Sequence, residues 1–173
     1  ATSFDLVAAD DPALRPGRPA WRDAFRTIRR SAVVYLAGGN TYYFLAHLRR
    51  SGLLDELRRF AMRGGVMAGL SAGALILTPH IGLAGYPEFD RDPNDVGLGP
   101  RGMRGLGLVP FEFFPHYRRS ARYRDALLEY SRTARTPVYA CPDGSGIVVE
   151  GDRFTAHGDV RQFHRGNVVK IGG

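Results

Sequence analysis

The sequence predicts a three-layer α/β/α sandwich, in which a mostly parallel sheet lies between helices and antiparallel hairpins follow at the C-terminus. Two apolar runs, "SAVVYLA" and "VMAGL", lack polar alternation, so they predict strands that are buried on both faces. Helical spacing follows each run, and the last third of the chain breaks into short strand-like segments between turn residues. We expect a single domain over residues 1–173.

The first half of the chain alternates strands and helices. Residues 4–9, "FDLVAA", form a short apolar stretch, and "DDPALRPGRP" after it predicts a loop. The run "SAVVYLAGG" predicts a strand, and the spacing in "NTYYFLAHLRRSG" and "LLDELRRFAMRGG" predicts two helices that end at glycine. The strand "VMAGL" leads into a helix over "AGALIL", which Pro79 ends.

The second half begins with a long segment, residues 80–105, that is rich in Gly, Pro and Asp. It predicts a mobile or functional loop, which we expect to cover the site as a lid. "LGLVPFEFF" then predicts a strand and "RRSARYRDALLEYSRTA" an amphipathic helix. The runs "PVYAC", "SGIVVEG", "RFTAH" and "NVVKI" predict the short strands of the C-terminal part.

The amino-acid composition argues against nucleic acid and membranes as partners. The net charge is +7, and Lys170 is the single lysine among 24 basic residues. The arginines are scattered over predicted helix faces without an aromatic–basic motif, so we expect a solvated surface and no nucleic acid partner; examples are the pairs Arg49–Arg50, Arg58–Arg59 and Arg118–Arg119. Apolar runs fall short of the roughly 20 residues of a membrane span. A lone cysteine, Cys141, and no recognisable leader favour the cytoplasm.

The stretch Gly69-Leu70-Ser71-Ala72-Gly73 fits the pattern G-x-S-x-G between a predicted strand and a predicted helix. In a nucleophile elbow, the serine occupies a strained corner, and small residues on either side let strand and helix approach closely. The pattern predicts Ser71 as the nucleophile and the backbone N–H of Ala72 as an oxyanion donor. A buried crossing that merely needs small residues is the structural alternative.

A second oxyanion donor and a base are also predicted. Gly39 in "LAGGNT" follows a strand and has no Cβ to block its N–H, so it is the candidate second donor; an ordinary strand-to-helix turn is the structural alternative. His116 in "FEFFPHY" stands at the carboxyl end of a strand, where α/β sites collect, and is the candidate general base. The other histidines are placed elsewhere: His47 on a helix surface, His80 at the far end of the elbow helix, His157 and His164 in hairpins.

The spacing of the sequence leaves several candidates for the acidic residue that would orient His116. Asp143 in "YACPDGSG" follows a short strand that could lie beside the strand ending at His116. A carboxylate there would orient the imidazole. The rivals are Asp95, Glu112 and Asp125, and an Asp-Gly pair is often only a turn.

Taken together and in this order, "GGNT", "GLSAGA", "FFPHY" and "CPDG" resemble the peptidase E family, serine peptidases with a class I glutamine-amidotransferase-like α/β fold. The resemblance implies Ser71 as nucleophile, His116 as general base, and the N–H groups of Gly39 and Ala72 as the oxyanion hole. The family has a glutamate in a "PEG"-like turn, so the resemblance assigns Asp143 the acidic role here.

The resemblance also bears on the substrate. It implies small peptides and no metal or organic cofactor, and it allows a homodimer. Family dipeptidases that prefer an N-terminal aspartate use an arginine that Arg122 and Arg124 match loosely; with Asn40 these are the candidate substrate-binding residues. We expect a short form without the C-terminal extension, and without an N-terminal strand–helix segment, so specificity for Asp-X dipeptides is not implied.

Two other functions stay open at this point. In an α/β-hydrolase esterase the order is serine, acid, histidine, which would pair Asp143 with His157 or His164. The chain is short for such a fold. A peptidase-like binding protein that turns over no substrate is the second alternative.

Overall fold

The computed structural model of the protein describes residues 16–172, so the predicted apolar stretch at 4–9 lies outside the described residues. The first element is helix α1, Pro19–Arg30. The sequence analysis does not predict this helix; it predicts only the proline-rich loop that leads into it. Pro19 occupies the first turn, where a missing N–H costs no hydrogen bond. Ala24 and Ile28, one helical turn apart, are buried and anchor the helix.

The predicted strands and helices of the first half are confirmed. They are β1 (Val33–Leu36), α2 (Thr41–Arg50), α3 (Leu53–Met62), β2 (Val66–Gly69) and α4 (Ala72–Leu77). Strands β1 and β2 pair in parallel, with Val33 opposite Val66 and Leu36 opposite Gly69. Their carboxyl ends therefore meet at one edge, where the glycine turn after β1 and the serine after β2 come together.

The predicted loop at 80–105 contains two short 3₁₀ turns, Gly82–Gly85 and Glu88–Asp90. It is tied to α2, since the Thr41 N–H donates to Asp92 Oδ2 over 2.8 Å and Asn40 Nδ2 donates to the Pro93 carbonyl over 2.9 Å. The segment is therefore a packed connection that lies against the start of α2.

The second half contains β3 (Glu112–Phe114), α5 (Ala121–Thr133), β4 (Val138–Ala140), β5 (Gly146–Glu150), β6 (Arg153–His157), β7 (Arg161–His164) and β8 (Asn167–Lys170). Four strands form one sheet in the order β3-β4-β7-β8, and β5 pairs with β6. The β3–β4 pair is parallel, whereas β4–β7, β7–β8 and β5–β6 are antiparallel. The α/β class and the C-terminal hairpins are confirmed; the sequence reading missed β7.

The core joins both halves around α4, which contacts β1, β2 and β3. Its most buried large side chains include Leu45, Ile76, Leu127, Val138 and Phe163. Each such burial contributes roughly 1.5–3 kcal/mol. A smaller cluster of Phe111, Tyr139, Cys141 and Val160 lies under the strands that lead to the Asp143 turn.

One burial expectation is wrong. His47, placed on a helix surface from its arginine neighbours, is 4% exposed, because α2 packs against both α3 and α4. Among the described helices, none has the length and apolar character that a bilayer crossing requires.

Candidate catalytic site

Ser71 sits at the corner between β2 and α4 with φ 51° and ψ −117°. A residue with a Cβ rarely adopts this conformation, which costs of order 1–3 kcal/mol unless the surroundings enforce it. They do so here through backbone hydrogen bonds. The Leu70 N–H donates to Leu36 O (2.9 Å) and the Gly73 N–H to Ala37 O (3.1 Å), so both sides of the corner are tied to β1 and the turn after it.

The small residues of the motif mark close backbone contacts. A Cβ on Gly69 would lie 2.7 Å from the backbone of Gly73 and Ala74, and one on Gly73 would collide with the Leu36 carbonyl. A Cβ on Gly38 would lie 3.3 Å from the Ser71 Cβ. The glycines therefore let α4 and the turn after β1 close around the serine.

His116 follows β3 and lies between the serine and the aspartate. Its Nε2 is 2.9 Å from Ser71 Oγ, and its Nδ1 is 2.6 Å from Asp143 Oδ1. With the imidazole proton on Nδ1, His116 donates a hydrogen bond to the carboxylate and its Nε2 accepts one from the Ser71 hydroxyl. The three side chains that the sequence reading selected thus form one hydrogen-bonded chain.

The parallel pairing of β3 and β4 explains how residues 27 positions apart meet. The Cys141 N–H donates to Phe114 O (2.9 Å), and the Tyr117 N–H donates to Cys141 O (3.1 Å). These bonds continue the ladder past the ends of both strands. His116 itself has φ 55°, a left-handed conformation that turns the chain out of the sheet.

The two sides of the site differ in exposure. The His116 and Asp143 side chains are 54% and 84% exposed, whereas Ala72 beside the serine is 1% exposed. Cys141, two residues before Asp143, is buried, and burial raises the pKa of its thiol to about 12. That sulfur is therefore a protonated core group and no competing nucleophile.

The rival acids do not reach the imidazole. Glu112 is buried at the other end of β3, where its Oε2 accepts a hydrogen bond from the Tyr130 hydroxyl over 2.6 Å. Burial raises the pKa of Glu112, and that hydrogen bond opposes the shift. Asp125 lies on α5 beside Arg124, and no contact within residues 16–172 joins Asp95 or Asp125 to His116.

The two candidate oxyanion donors flank the serine. Ala72 is the first residue of α4, and Gly39, with φ 136°, follows Gly38 in the turn against Ser71. Across residues 16–172, neither the Ala72 nor the Gly39 N–H has an acceptor within the chain. Two free N–H groups beside a serine can bind a developing oxyanion.

The three substrate-binding candidates have other contacts. Asn40 caps α2, with its Oδ1 accepting the Tyr43 N–H over 2.9 Å. The Arg122 guanidinium lies 3.5 Å from the centre of the Phe89 ring, and Arg124 lies 3.9 Å from Asp125. In the described part of the chain, neither arginine contacts the triad.

The remaining histidines and metal ligation can be placed as well. His80 Nδ1 accepts the Gly82 N–H over 2.9 Å, and His157 and His164 lie in β6 and β7. Within residues 16–172, none of them is hydrogen-bonded to Ser71 or Asp143, and no group of three or more His, Cys, Asp or Glu could hold a metal ion.

Comparison with known proteins identifies a family for this chain. The pattern of peptidase family S51 matches residues 18–157. Peptidase E of Streptomyces coelicolor is 32% identical over 160 residues, which cover 86% of this chain and 62% of that protein. Peptidase E of Shewanella amazonensis is 31% identical over 158 residues, covering 86% of this chain and 63% of that protein.

The fold has solved relatives too. A crystal structure of a Listeria monocytogenes EGD-e protein aligns with a TM-score of 0.65 at 24% identity, covering 79% of this chain and 64% of that one. The present chain spans under two thirds of the length of both peptidase E relatives. The family resemblance read from the four motifs is confirmed, and since the family pattern covers most of the chain, this protein belongs to peptidase family S51.

Proposed function

We propose that the protein is a serine peptidase that hydrolyses small peptides. The observation that carries the proposal is the unbroken hydrogen-bonded chain from Ser71 Oγ through His116 to Asp143, with links of 2.9 and 2.6 Å. Membership of family S51 supports the same activity. No step of the mechanism calls for a metal or an organic cofactor.

The chemistry follows from the positions of the protons. Ser71 Oγ attacks the peptide carbonyl carbon while His116 Nε2 takes the hydroxyl proton, and the new imidazolium is stabilised by Asp143. His116 then gives that proton to the leaving amine. A water molecule then attacks the acyl carbon and loses a proton to His116, which passes that proton to Ser71 Oγ as the acid product leaves.

The oxyanion of each tetrahedral intermediate would be bound by the N–H groups of Gly39 and Ala72. Their lack of an acceptor within the described residues supports this role. Ala72 is 1% exposed at the closely packed start of α4, so its N–H needs little rearrangement as charge develops. Donors of this kind typically contribute about 2.7–4 kcal/mol each to transition-state stabilisation.

We propose that Asp-X dipeptides are not preferred substrates. Arg122, the candidate for binding an acidic side chain, stacks on Phe89, and Asn40 is engaged with Tyr43 and Pro93. A guanidinium stacked on an aromatic ring is fixed in direction, so it binds only a carboxylate that reaches its free N–H edge. The 80–105 segment, tied to the start of α2 beside Gly39, would limit the length of the peptide.

The architecture and setting are part of the proposal. We propose a three-layer, class I glutamine-amidotransferase-like domain, in which α4 packs against strands of both the β1–β2 sheet and the four-stranded sheet. We further propose a cytoplasmic protein with small peptides as partners and no nucleic acid. A homodimer is compatible with these proposals.

Fluorophosphonate labelling tests the mechanism. Wild type should be labelled at Ser71, and Ser71→Ala and His116→Ala should both abolish labelling. His157→Ala serves as the matched histidine control and should label normally. Loss of labelling in His157→Ala alone would instead support the esterase arrangement.

A substrate panel tests the activity. Asp-X dipeptides, other dipeptides and small esters should be offered to wild type and to Ser71→Ala. We expect hydrolysis of some dipeptides by wild type only. Equal rates for the two proteins across the whole panel would support the non-catalytic alternative.

A further inference from the structure

Two short loops carry the acid–base pair of the proposed triad. His116 lies in the segment between β3 and α5, and Asp143 lies in the turn after β4. Both side chains are more than half exposed, so little packing fixes them. The backbone bonds of Cys141 with Phe114 and Tyr117 join the two loops next to the strand ends, and a second link between the loops lies further along both of them.

Asp159 contacts both loops at once. Its Oδ2 accepts a hydrogen bond from Arg119 Nε at 2.5 Å, three residues after His116. Its backbone N–H donates to Ser145 Oγ over 3.1 Å, two residues after Asp143. The Ser145 N–H in turn donates to Pro142 O over 3.0 Å, which closes the turn that holds Asp143.

The fit around Asp159 is close. Its side chain is 14% exposed, while Arg119 is 63% exposed, so a surface arginine pairs with a mostly buried carboxylate. Arg161 Nε lies 3.8 Å from the same oxygen. A Cβ on Gly158 would lie 2.6 Å from Ser145 Oγ, so the backbone just before Asp159 packs closely against Ser145.

Charge supports a permanent ion pair. The hydrogen bond from Arg119 holds the pKa of Asp159 below its usual value, although burial opposes this, and the charges of Arg119, Arg161 and Lys170 add to the lowering. The carboxylate is therefore ionised throughout the neutral range. The sequence reading placed Arg119 on a solvated helix face; it lies before α5 and pairs with Asp159.

We propose that Arg119, Ser145 and Asp159 form a bridge that positions His116 against Asp143. This inference rests on the proposed function. The three residues touch no reacting atom, so they are positioning residues. When the bridge is cut, His116 and Asp143 should separate for part of the time, and the imidazole proton should no longer be fixed on Nδ1.

Arg119→Ala is the main test, because Arg119 is a surface residue whose loss should leave the fold intact. Arg118→Ala is the matched control: it removes the same charge one position earlier, from a side chain without a hydrogen bond or ion pair among the described residues. Asp159→Ala cuts the bridge from the other side. We expect kcat to fall about 10-fold in Arg119→Ala and Asp159→Ala, with KM nearly unchanged.

A double-mutant cycle tests whether Arg119 and Asp159 act through the same interaction. The double variant Arg119→Ala/Asp159→Ala should lose no more than the larger single loss, because both changes break one interaction. Additive losses, or an equal fall in Arg118→Ala, would overturn the bridge. Thermal unfolding of each variant identifies any loss that comes from instability.

Nitrogen NMR of the His116 ring supplies a readout that does not need turnover. Wild type and Arg118→Ala should show the proton on Nδ1, and Arg119→Ala should shift towards a mixture of tautomers. An unchanged tautomer in Arg119→Ala and Asp159→Ala would overturn the bridge. If wild type neither labels nor hydrolyses peptides, the proposed function fails, while this measurement still decides whether the bridge exists.

Discussion

Ser71, the proposed nucleophile, and the proposed acid–base pair of His116 and Asp143 are held in place by different means. Around Ser71, backbone atoms do the positioning: Gly69 and Gly73 let α4 press against β1 and β2, and no adjustable side chain intervenes. Around His116 and Asp143, exposed side chains are positioned by hydrogen bonds between loops. We call the first set the elbow region and the second the loop region. Damage to the elbow should therefore destabilise the protein, whereas damage to the loop region should mainly reduce activity.

The largest effect is expected from Gly73→Ala in the elbow region. The new methyl group would collide with the Leu36 carbonyl, so α4 must move away from β1. We expect a loss of about 3 kcal/mol in the free energy of unfolding, as for an overpacked core. Denaturant unfolding measures this, and fluorophosphonate labelling of Ser71 should be lost at the same time.

The control for that change is Gly99→Ala. Its Cβ would meet nothing within 4 Å, so its free energy of unfolding should stay within about 0.5 kcal/mol of wild type. If Gly73→Ala were as stable as Gly99→Ala and still labelled, backbone packing would not be what positions the serine.

In the loop region, Asp143→Asn should have the opposite profile. The amide fits the same space, but it cannot stabilise the imidazolium and does not fix the proton on Nδ1. We expect kcat to fall about 10²–10⁴-fold. Because the Asp143 side chain is 84% exposed, the unfolding midpoint should not move. A large drop in stability without loss of kcat would reverse the comparison.

A third carboxylate sharpens the contrast. The Glu56 side chain is fully buried and accepts hydrogen bonds from Arg29 (2.8 Å), Arg59 (2.9 Å) and Arg63 (3.4 Å). The hydrogen bond from Arg29 lowers the pKa of Glu56 to about 2, against the opposing effect of burial and with help from Arg59. None of these arginines belongs to the proposed site, so the loss of Glu56 should change the stability of the protein and leave its activity unchanged.

The pH dependence follows from the direction of that shift. A lowered pKa in the folded protein stabilises it above the unfolded value of 4.5, and the contribution is lost as pH falls towards 2. Since the arginines are more than half exposed, we expect about 1–2 kcal/mol. Glu56→Gln should be less stable than wild type at pH 7, and the difference should close between pH 4.5 and 2. A constant difference across this range would contradict the assignment.

Local signals were enough for the elements that build the elbow region. Strong apolar runs and glycine stops predicted β1, α2, α3, β2 and α4, and the G-x-S-x-G pattern predicted a strand–turn–helix corner. Such strands and helices can be predicted from the sequence, because apolar periodicity and turn residues act over a few neighbouring positions. The positions of His116 and Asp143 at neighbouring strand ends were also predicted, from the proline that follows each strand.

What was missed depends on distant partners. Strand β7, "RQFH", has no apolar alternation and exists because β4 and β8 pair with its two edges. The burial of His47 depends on two other helices, which its own arginine-rich helix does not reveal. The link from Arg119 through Asp159 to Ser145 spans 40 residues on one side and 14 on the other. No local pattern encodes a contact of that range.

The left-handed backbone at Ser71 and His116 has a consequence for any attempt to improve the protein. Of the three residues other than glycine with positive φ in the described chain, two are these members of the proposed triad. Glycine at either position would relieve roughly 1 kcal/mol or more of conformational cost. A screen that rewards heat resistance alone would therefore select replacements that remove the proposed nucleophile and the proposed base.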